Sequence, residues 1–125
     1  MARKKKKKVW KSEAMWIEFL TQYLNDTPEV QKRFDWLRGP TSNRHLKLDA
    51  YFPKYNLAFE YNGIQHYQYV RRFHKSKKKF EYCKMLDAHK YKTLMENKVN
   101  LLIVKHDDDP KDIISCLNAL LGLSA

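Results

Sequence analysis

Asp49 and Glu60 stand eleven positions apart with Pro53 between them, and Gly63, Gln65 and His66 follow within six residues of Glu60. Both acids fall in segments that read as β-strands. Carboxylates are depleted in strands, and they are costly inside a fold unless paired or bound to a cation. An acid on each of two neighbouring strands can hold a hard divalent ion. Mg2+ (or Mn2+) takes oxygen ligands and keeps several waters, so one or two carboxylates plus a substrate phosphate suffice. Such an ion polarises a phosphate oxygen and lowers the pKa of an attacking water, which is the chemistry of phosphodiester hydrolysis. Asp49 and Glu60 are therefore the candidate metal ligands. The competing reading is an acid pair on a wet sheet face.

Other residues can join them. Asn62-Gly63 is expected to supply a positive φ, which turns the chain so that Gln65 and His66 return toward the acids. His66 could act as general acid or base, or bind phosphate when protonated. Asp87 and Lys90 are three apart on an expected helix. The bland reading there is a surface ion pair worth under ~1 kcal/mol. Asp87 also borders the expected core face, from which it could look into a site at the sheet edge. Glu13, at a helix start, and Glu18, between Ile17 and Phe19, are the acids of the first helix.

These residues need elements to position them. Ser12 is the expected N-cap of a helix over 13–24, with Trp16, Ile17, Phe19, Leu20, Tyr23 and Leu24 as its apolar face. Thr27-Pro28 should open a short second helix carrying Val30, Phe34 and Leu37. Leu46, Leu48, Ala50 and Phe52 alternate with His45, Lys47, Asp49 and Tyr51, and a turn over 53–56 leads to a partner strand over 57–61. The short link makes the pair an antiparallel hairpin. The stretch 67–79 reads as basic and irregular. A helix over 78–97 follows, with Phe80, Cys83, Leu86, Leu94 and Tyr91 toward the core. Leu101-Leu102-Ile103-Val104 is an apolar run, expected as a strand buried on both faces and parallel to an earlier one. A last helix over 111–121 ends at Gly122. The order α-α-β-β-α-β-α implies an α/β (mixed α+β) fold: a small mixed sheet with an antiparallel hairpin, flanked by helices.

Charge narrows the partner. The 125 residues carry 25 Lys plus Arg against 14 Asp plus Glu, a net charge of +11. An excess of that size points first to nucleic acid and second to an anionic membrane surface. Arg3, Lys4, Lys5, Lys6, Lys7 and Lys8 form a like-charged block expected to be a disordered arm over 1–11, ahead of one domain over 12–125. The arm, with Arg71, Arg72, Lys75, Lys77, Lys78 and Lys79, should contact phosphates. Cys83 and Cys116 lack a CxxC partner and read as two buried thiols of a reducing compartment. No apolar run approaches a membrane span and residues 1–8 lack a signal-peptide core. A soluble intracellular protein is expected, in host cytoplasm or nucleoid, with the arm as a route to the nucleus.

The stretch from Leu46 to Tyr67 resembles the strand pair of a branch of the PD-(D/E)XK nuclease superfamily. That branch is related to very-short-patch repair endonucleases and includes phage-type homing endonucleases with an acid–acid–x–His–acid signature. The resemblance spans roughly residues 12–105 and is densest over 49–67. It implies a restriction-endonuclease-like core, Mg2+ dependence and DNA strand cleavage. Asp49 matches the first-strand aspartate, Glu60 the second-strand acid, His66 the histidine, Asp87 with Lys90 the Asp-x-x-Lys of the next helix, and Glu13 the helix-one acid, with Glu18 as fallback. The broader superfamily has a lysine two residues after the second acid, where this chain has Asn62. Gln65, His66 or Lys90 would then take that role. Nothing resembles the zinc elements of the repair relatives. The expectation is a Mg2+-dependent DNA endonuclease or nickase, with RNA as a further substrate class and a homodimer or larger complex compatible. The alternative is a non-catalytic nucleic-acid-binding protein with the same fold, acting in a larger complex.

Overall fold

Ser12 opens the first helix by accepting the Met15 N–H on its Oγ at 3.1 Å, which satisfies one of the amides that a helix start leaves unpaired. The computed structural model describes residues 12–124, so the expected arm over 1–11, with Arg3–Lys8, lies outside the described residues. Helix α1 (Glu13–Leu24) ends at Asn25, whose φ of 49° is the left-handed conformation that stops a helix. Trp16, Leu20 and Leu24 form its buried stripe.

The segment after Pro28 departs from expectation. It is not a helix but strand β1 (Glu29–Arg38), paired antiparallel with β2 (His45–Phe52) from Glu29↔Tyr51 to Arg38↔His45. Val30, Phe34 and Leu37 fit a helical spacing, yet Phe34 and Trp36 stack on one face at 4.6 Å, the period-2 relation of a strand. Pairing with β2 gives these aromatic and β-branched side chains a pleated surface to pack on, and that overrides the local helical signal.

The hairpin is as expected. A 3-10 turn over Pro53–Tyr55 and a left-handed Asn56 link β2 to β3 (Leu57–Asn62). The basic stretch after it is more ordered than the sequence suggests. A short helix α2 (Arg71–His74) precedes the long helix α3 (Lys77–Glu96), which Ser76 caps through a 3.1 Å bond from Lys79 N–H. Of the expected core face of α3, Phe80 and Leu94 are buried, while Cys83, Leu86 and Tyr91 are half-buried. Helix α3 crosses to β4 (Asn100–Lys105), parallel to β3 from Leu57↔Asn100 to Asn62↔Lys105. Helix α4 (Pro110–Leu121) stops at Gly122, φ 67°.

The result is a mixed α+β fold: one four-stranded sheet in the order β1-β2-β3-β4, flanked by helices. Trp16, Leu20, Ile113 and Leu117 from α1 and α4 cover Ala50, Phe52, Leu57, Phe59, Leu102 and Val104 on one side. Leu94 packs with Leu37, Leu48, Ala58 and Val99 on the other. Strand β4 is not buried on both faces throughout. It is an edge strand, and Leu101 and Ile103 are only half-buried. The thiols also differ from expectation, since Cys116 is exposed on α4 and Cys83 half-buried on α3. No helix among the described residues is long and apolar enough to cross a membrane.

Leu117 is fully buried and Met95 is 68% exposed. Leu117→Ala should destabilise by about 2–5 kcal/mol through lost burial and a residual cavity, read as a lower urea midpoint. Met95→Ala should move it by less than about 0.5 kcal/mol.

Candidate functional site

The β2–β3 ladder runs from Phe52↔Leu57 through Tyr51↔Ala58 to Ala50↔Phe59 and stops there. The same register carried one step further sets Asp49 opposite Glu60. At that step the Asp49 side chain takes over from the backbone, as Oδ2 accepts the Tyr61 N–H at 2.7 Å. Strand β2 also changes face here. Leu48 belongs to the core under α3 and Ala50 to the core under α1 and α4, although side chains two apart in a regular strand share a face. The expected run of Leu46, Leu48, Ala50 and Phe52 along a single face is therefore broken at Asp49. Its carboxylate points toward the end of β3 instead of to solvent.

Glu13 reaches the same point from the first turn of α1. Burial pushes its carboxyl up to about 7, and a hydrogen bond with Asp49 and the Asp49 charge push the same way. Glu18 is exposed on the same helix, so Glu13 is the acid that α1 contributes. Glu60 approaches from β3 with a side chain only 5% exposed. Burial raises its carboxyl to about 7; Lys90 opposes that shift and Asp49 adds to it. Lys90 Nζ donates to Glu60 Oε1 at 3.0 Å and to the Lys47 carbonyl at 2.8 Å. Desolvation of the carboxylate outweighs even this close ammonium.

Asp87 and Lys90 do not pair with each other. Asp87 Oδ2 lies 2.7 Å from His66 Nδ1, while Lys90 serves Glu60. Asp87, Lys90, Tyr91 and Leu94 recur at helical spacing, which turns them toward the sheet together. Between the two ion pairs lies the buried Asn62. Its Nδ2 donates to Tyr91 Oη at 2.7 Å and to Tyr67 Oη at 3.3 Å. Burial holds the Tyr91 phenol far above its usual range, so it stays neutral. Among the described residues no donor reaches Asn62 Oδ1.

Gly63 corrects another expectation. Its φ is −72°, so no left-handed turn follows Asn62. The glycine instead leaves room for a side chain: a Cβ there would sit 2.5 Å from Gln65 Oε1, which would have to move aside. Gln65 thus folds back over Gly63 within the 3-10 turn Ile64–His66. Clefts of 290 and 340 Å3 flank His66 and Asp87, one reaching Gln65, Cys83 and Lys84, the other Asn62, Tyr67 and Tyr91.

The structure therefore brings Glu13, Asp49, Glu60 and Lys90 together at one point, with His66, Asp87 and Gln65 on the other side of Asn62. Arg71, Arg72, Lys75, Lys77, Lys78 and Lys79 are exposed on α2 and the start of α3, outside both groups. Sequence reasoning missed Tyr67 and Asn62 as polar links and took Tyr91 for core. The position of Tyr91, four after Asp87 and next to Lys90, was the available signal.

No group of three or more His, Cys, Asp or Glu side chains among the described residues forms a ready-made metal cage. Mg2+ does not require one, because it retains waters and binds through one or two carboxylates. The donor set fits such an ion on its own chemistry. Burial first, and the Asp49 charge after it, raise the Glu13 and Glu60 carboxyls, and a divalent cation at the shared carboxylates would relieve the repulsion among them.

The chain is similar to three viral proteins. It is 36% identical over 87 residues to uncharacterized protein 307L of Invertebrate iridescent virus 6, covering 66% of this chain and 44% of the relative. Uncharacterized protein 094L of Frog virus 3 (isolate Goorha) is 33% identical over 95 residues, 72% of this chain and 61% of its own. Uncharacterized protein 033L of Invertebrate iridescent virus 3 is 33% identical over 94 residues, 75% and 48% respectively. The chain spans about half the length of these curated relatives. No family model and no solved structure matches.

Proposed function

We propose that this chain is a Mg2+-dependent DNA endonuclease or nickase with a restriction-endonuclease-like core. The observation that carries the reading is the convergence of Glu13, Asp49 and Glu60, from three separate elements, at the point where the β2–β3 ladder ends. Bound there, Mg2+ or Mn2+ would be held by Asp49 and Glu60 with Glu13 beside them, and would supply positive charge at a phosphate oxygen. Lys90 offers its Nζ at the same place, and so takes from α3 the role that Asn62 cannot fill on β3. Asp87 orients the His66 imidazole, which can pass a proton to the leaving oxygen as water attacks phosphorus and the P–O bond breaks. The exposed cations of α2 and early α3 would hold the backbone. One centre per chain cuts one strand, so a double-strand break needs two chains or two events.

A second reading has its own support. Lys90 already neutralises Glu60, and Asn62 stands in place of a lysine, which suits a nucleic-acid-binding protein that no longer cuts. Plasmid nicking separates the two. With Mg2+ or Mn2+, wild type should convert supercoiled plasmid to open circles, and Asp49→Asn should slow this about 100-fold or more, since a lost ligand removes several kcal/mol of charge stabilisation. Lys90→Met should do the same. Wild type that binds DNA yet leaves supercoiled, branched and single-stranded substrates uncut would sink the catalytic reading.

The raised carboxyls set a pH dependence. Glu13 and Glu60 hold protons in the folded protein up to about 7, above the ordinary glutamate value of 4.5. Their contribution to stability is complete below the unfolded value and is lost as pH rises through the folded one. Without divalent cations the thermal midpoint should fall between about pH 5 and about pH 8, and Glu60→Gln should flatten that fall. Cleavage should rise over the same window as the carboxylates ionise.

A further inference from the structure

We propose that β1 carries a stacking platform for unpaired bases, so that the preferred substrate contains a single-stranded segment next to the cut site. The proposal rests on the nucleic-acid reading above and specifies which nucleic acid. Phe34 and Trp36 stack face to face, with ring centroids 4.6 Å apart and planes 17° apart. Tyr51 meets Phe34 edge-on at 5.0 Å, and Lys32 Nζ lies 5.1 Å over the Phe34 ring. Phe34 and Tyr51 lean on the core beneath α3, which holds the platform rigid. Trp36, in contrast, remains 39% exposed at the end of the stack.

Position and charge single this surface out. Strand β1 is at the edge of the sheet, and among the described residues no further strand pairs with it. Lys32 pairs with Leu48, the residue before Asp49, so the platform begins one strand away from the acids. Over residues 29–47 the chain places Lys32, Arg33, Arg38, Arg44 and Lys47 against Glu29 and Asp35. Charges on an edge strand alone would serve to repel other strands. A packed aromatic pair ending in an exposed indole is not needed for that. Aromatic faces interleaved with cations are what a single strand requires, because every base offers a π-face and every phosphate a charge. Duplex DNA keeps its bases stacked on each other and gains nothing from an open ring. A flap, gap or junction would present its bases to Trp36 while its duplex arm reaches Asp49.

Fluorescence anisotropy with labelled oligothymidine and with a duplex of equal length tests this on the full chain, without divalent cations so that nothing is cut. Wild type should bind both. Trp36→Ala should weaken oligothymidine binding about tenfold, leave duplex binding unchanged, and keep the wild-type thermal midpoint. Trp36→Tyr should restore most of the loss, which a merely positional effect would not. If Trp36→Ala leaves both affinities intact while wild type binds both, the platform is wrong and the nucleic-acid reading survives. If wild type binds neither, both fail. A change that turns a dimer into a monomer without altering oligothymidine affinity assigns the edge to a protein partner and overturns the proposal.

Discussion

One hydrogen bond organises the candidate site, from the Tyr61 N–H to the Asp49 carboxylate. A regular hairpin would have paired backbone to backbone at this step and left both acids side by side on one face. Here the carboxylate stands in for a main-chain carbonyl. The Tyr61 amide stays satisfied, as a sheltered N–H must be, while β2 is released from the ladder and shifts face. That substitution lets an acid with no place in a sheet core hold a structural bond and still present its second oxygen. It also brings Asp49 within reach of α1, without which Glu13 would be an ordinary first-turn acid facing solvent.

The buried Glu60–Lys90 pair has a related logic. Removing two charges from water is costly, and an apolar pair of similar size would often stabilise a fold as well or better. The side chains are only 5% and 16% exposed, and burial still drives Glu60 upward despite the ammonium 3.0 Å away. Stability alone gives poor reason to keep such an arrangement. A site that must accept further positive charge or phosphate gives a better one, because Lys90 can exchange one anionic partner for another while the Lys47 carbonyl retains it.

Much of this was legible in the sequence, and the failures have identifiable causes. Helices α1 and α4 announced themselves through Ser12 and Gly122, and α3 through its apolar spacing, all of which are local signals. The hairpin and the parallel β4 followed from chain length between strands. Strand β1 was misread because Val30, Phe34 and Leu37 satisfy a helical period as well as they satisfy a strand with an irregular register, and only pairing with β2 decides between them. Asp49, Glu60 and His66 could be singled out as chemically odd for their segments. Their grouping was expected from the hairpin, but the way it is reached was not, since a change of face at Asp49 is a tertiary event without a local signature, and since Gly63 looked like a left-handed turn when its φ is −72° and the Gln65 side chain folds over it.

Helix α3 is the element on which both halves of the site depend. Asp87 fixes the imidazole of His66, Lys90 meets Glu60, and Tyr91 anchors Asn62, all from one sheet-facing stripe whose next member, Leu94, is fully buried. A rotation of this helix large enough to separate Lys90 from Glu60 would also separate Asp87 from His66. The acids on the strands and the histidine on the turn are therefore not independent features that share a neighbourhood. They are tied together by contacts from one helix, and a charged side chain at the buried position of Asn62 would compete with Lys90 for the carboxylate that the helix already serves.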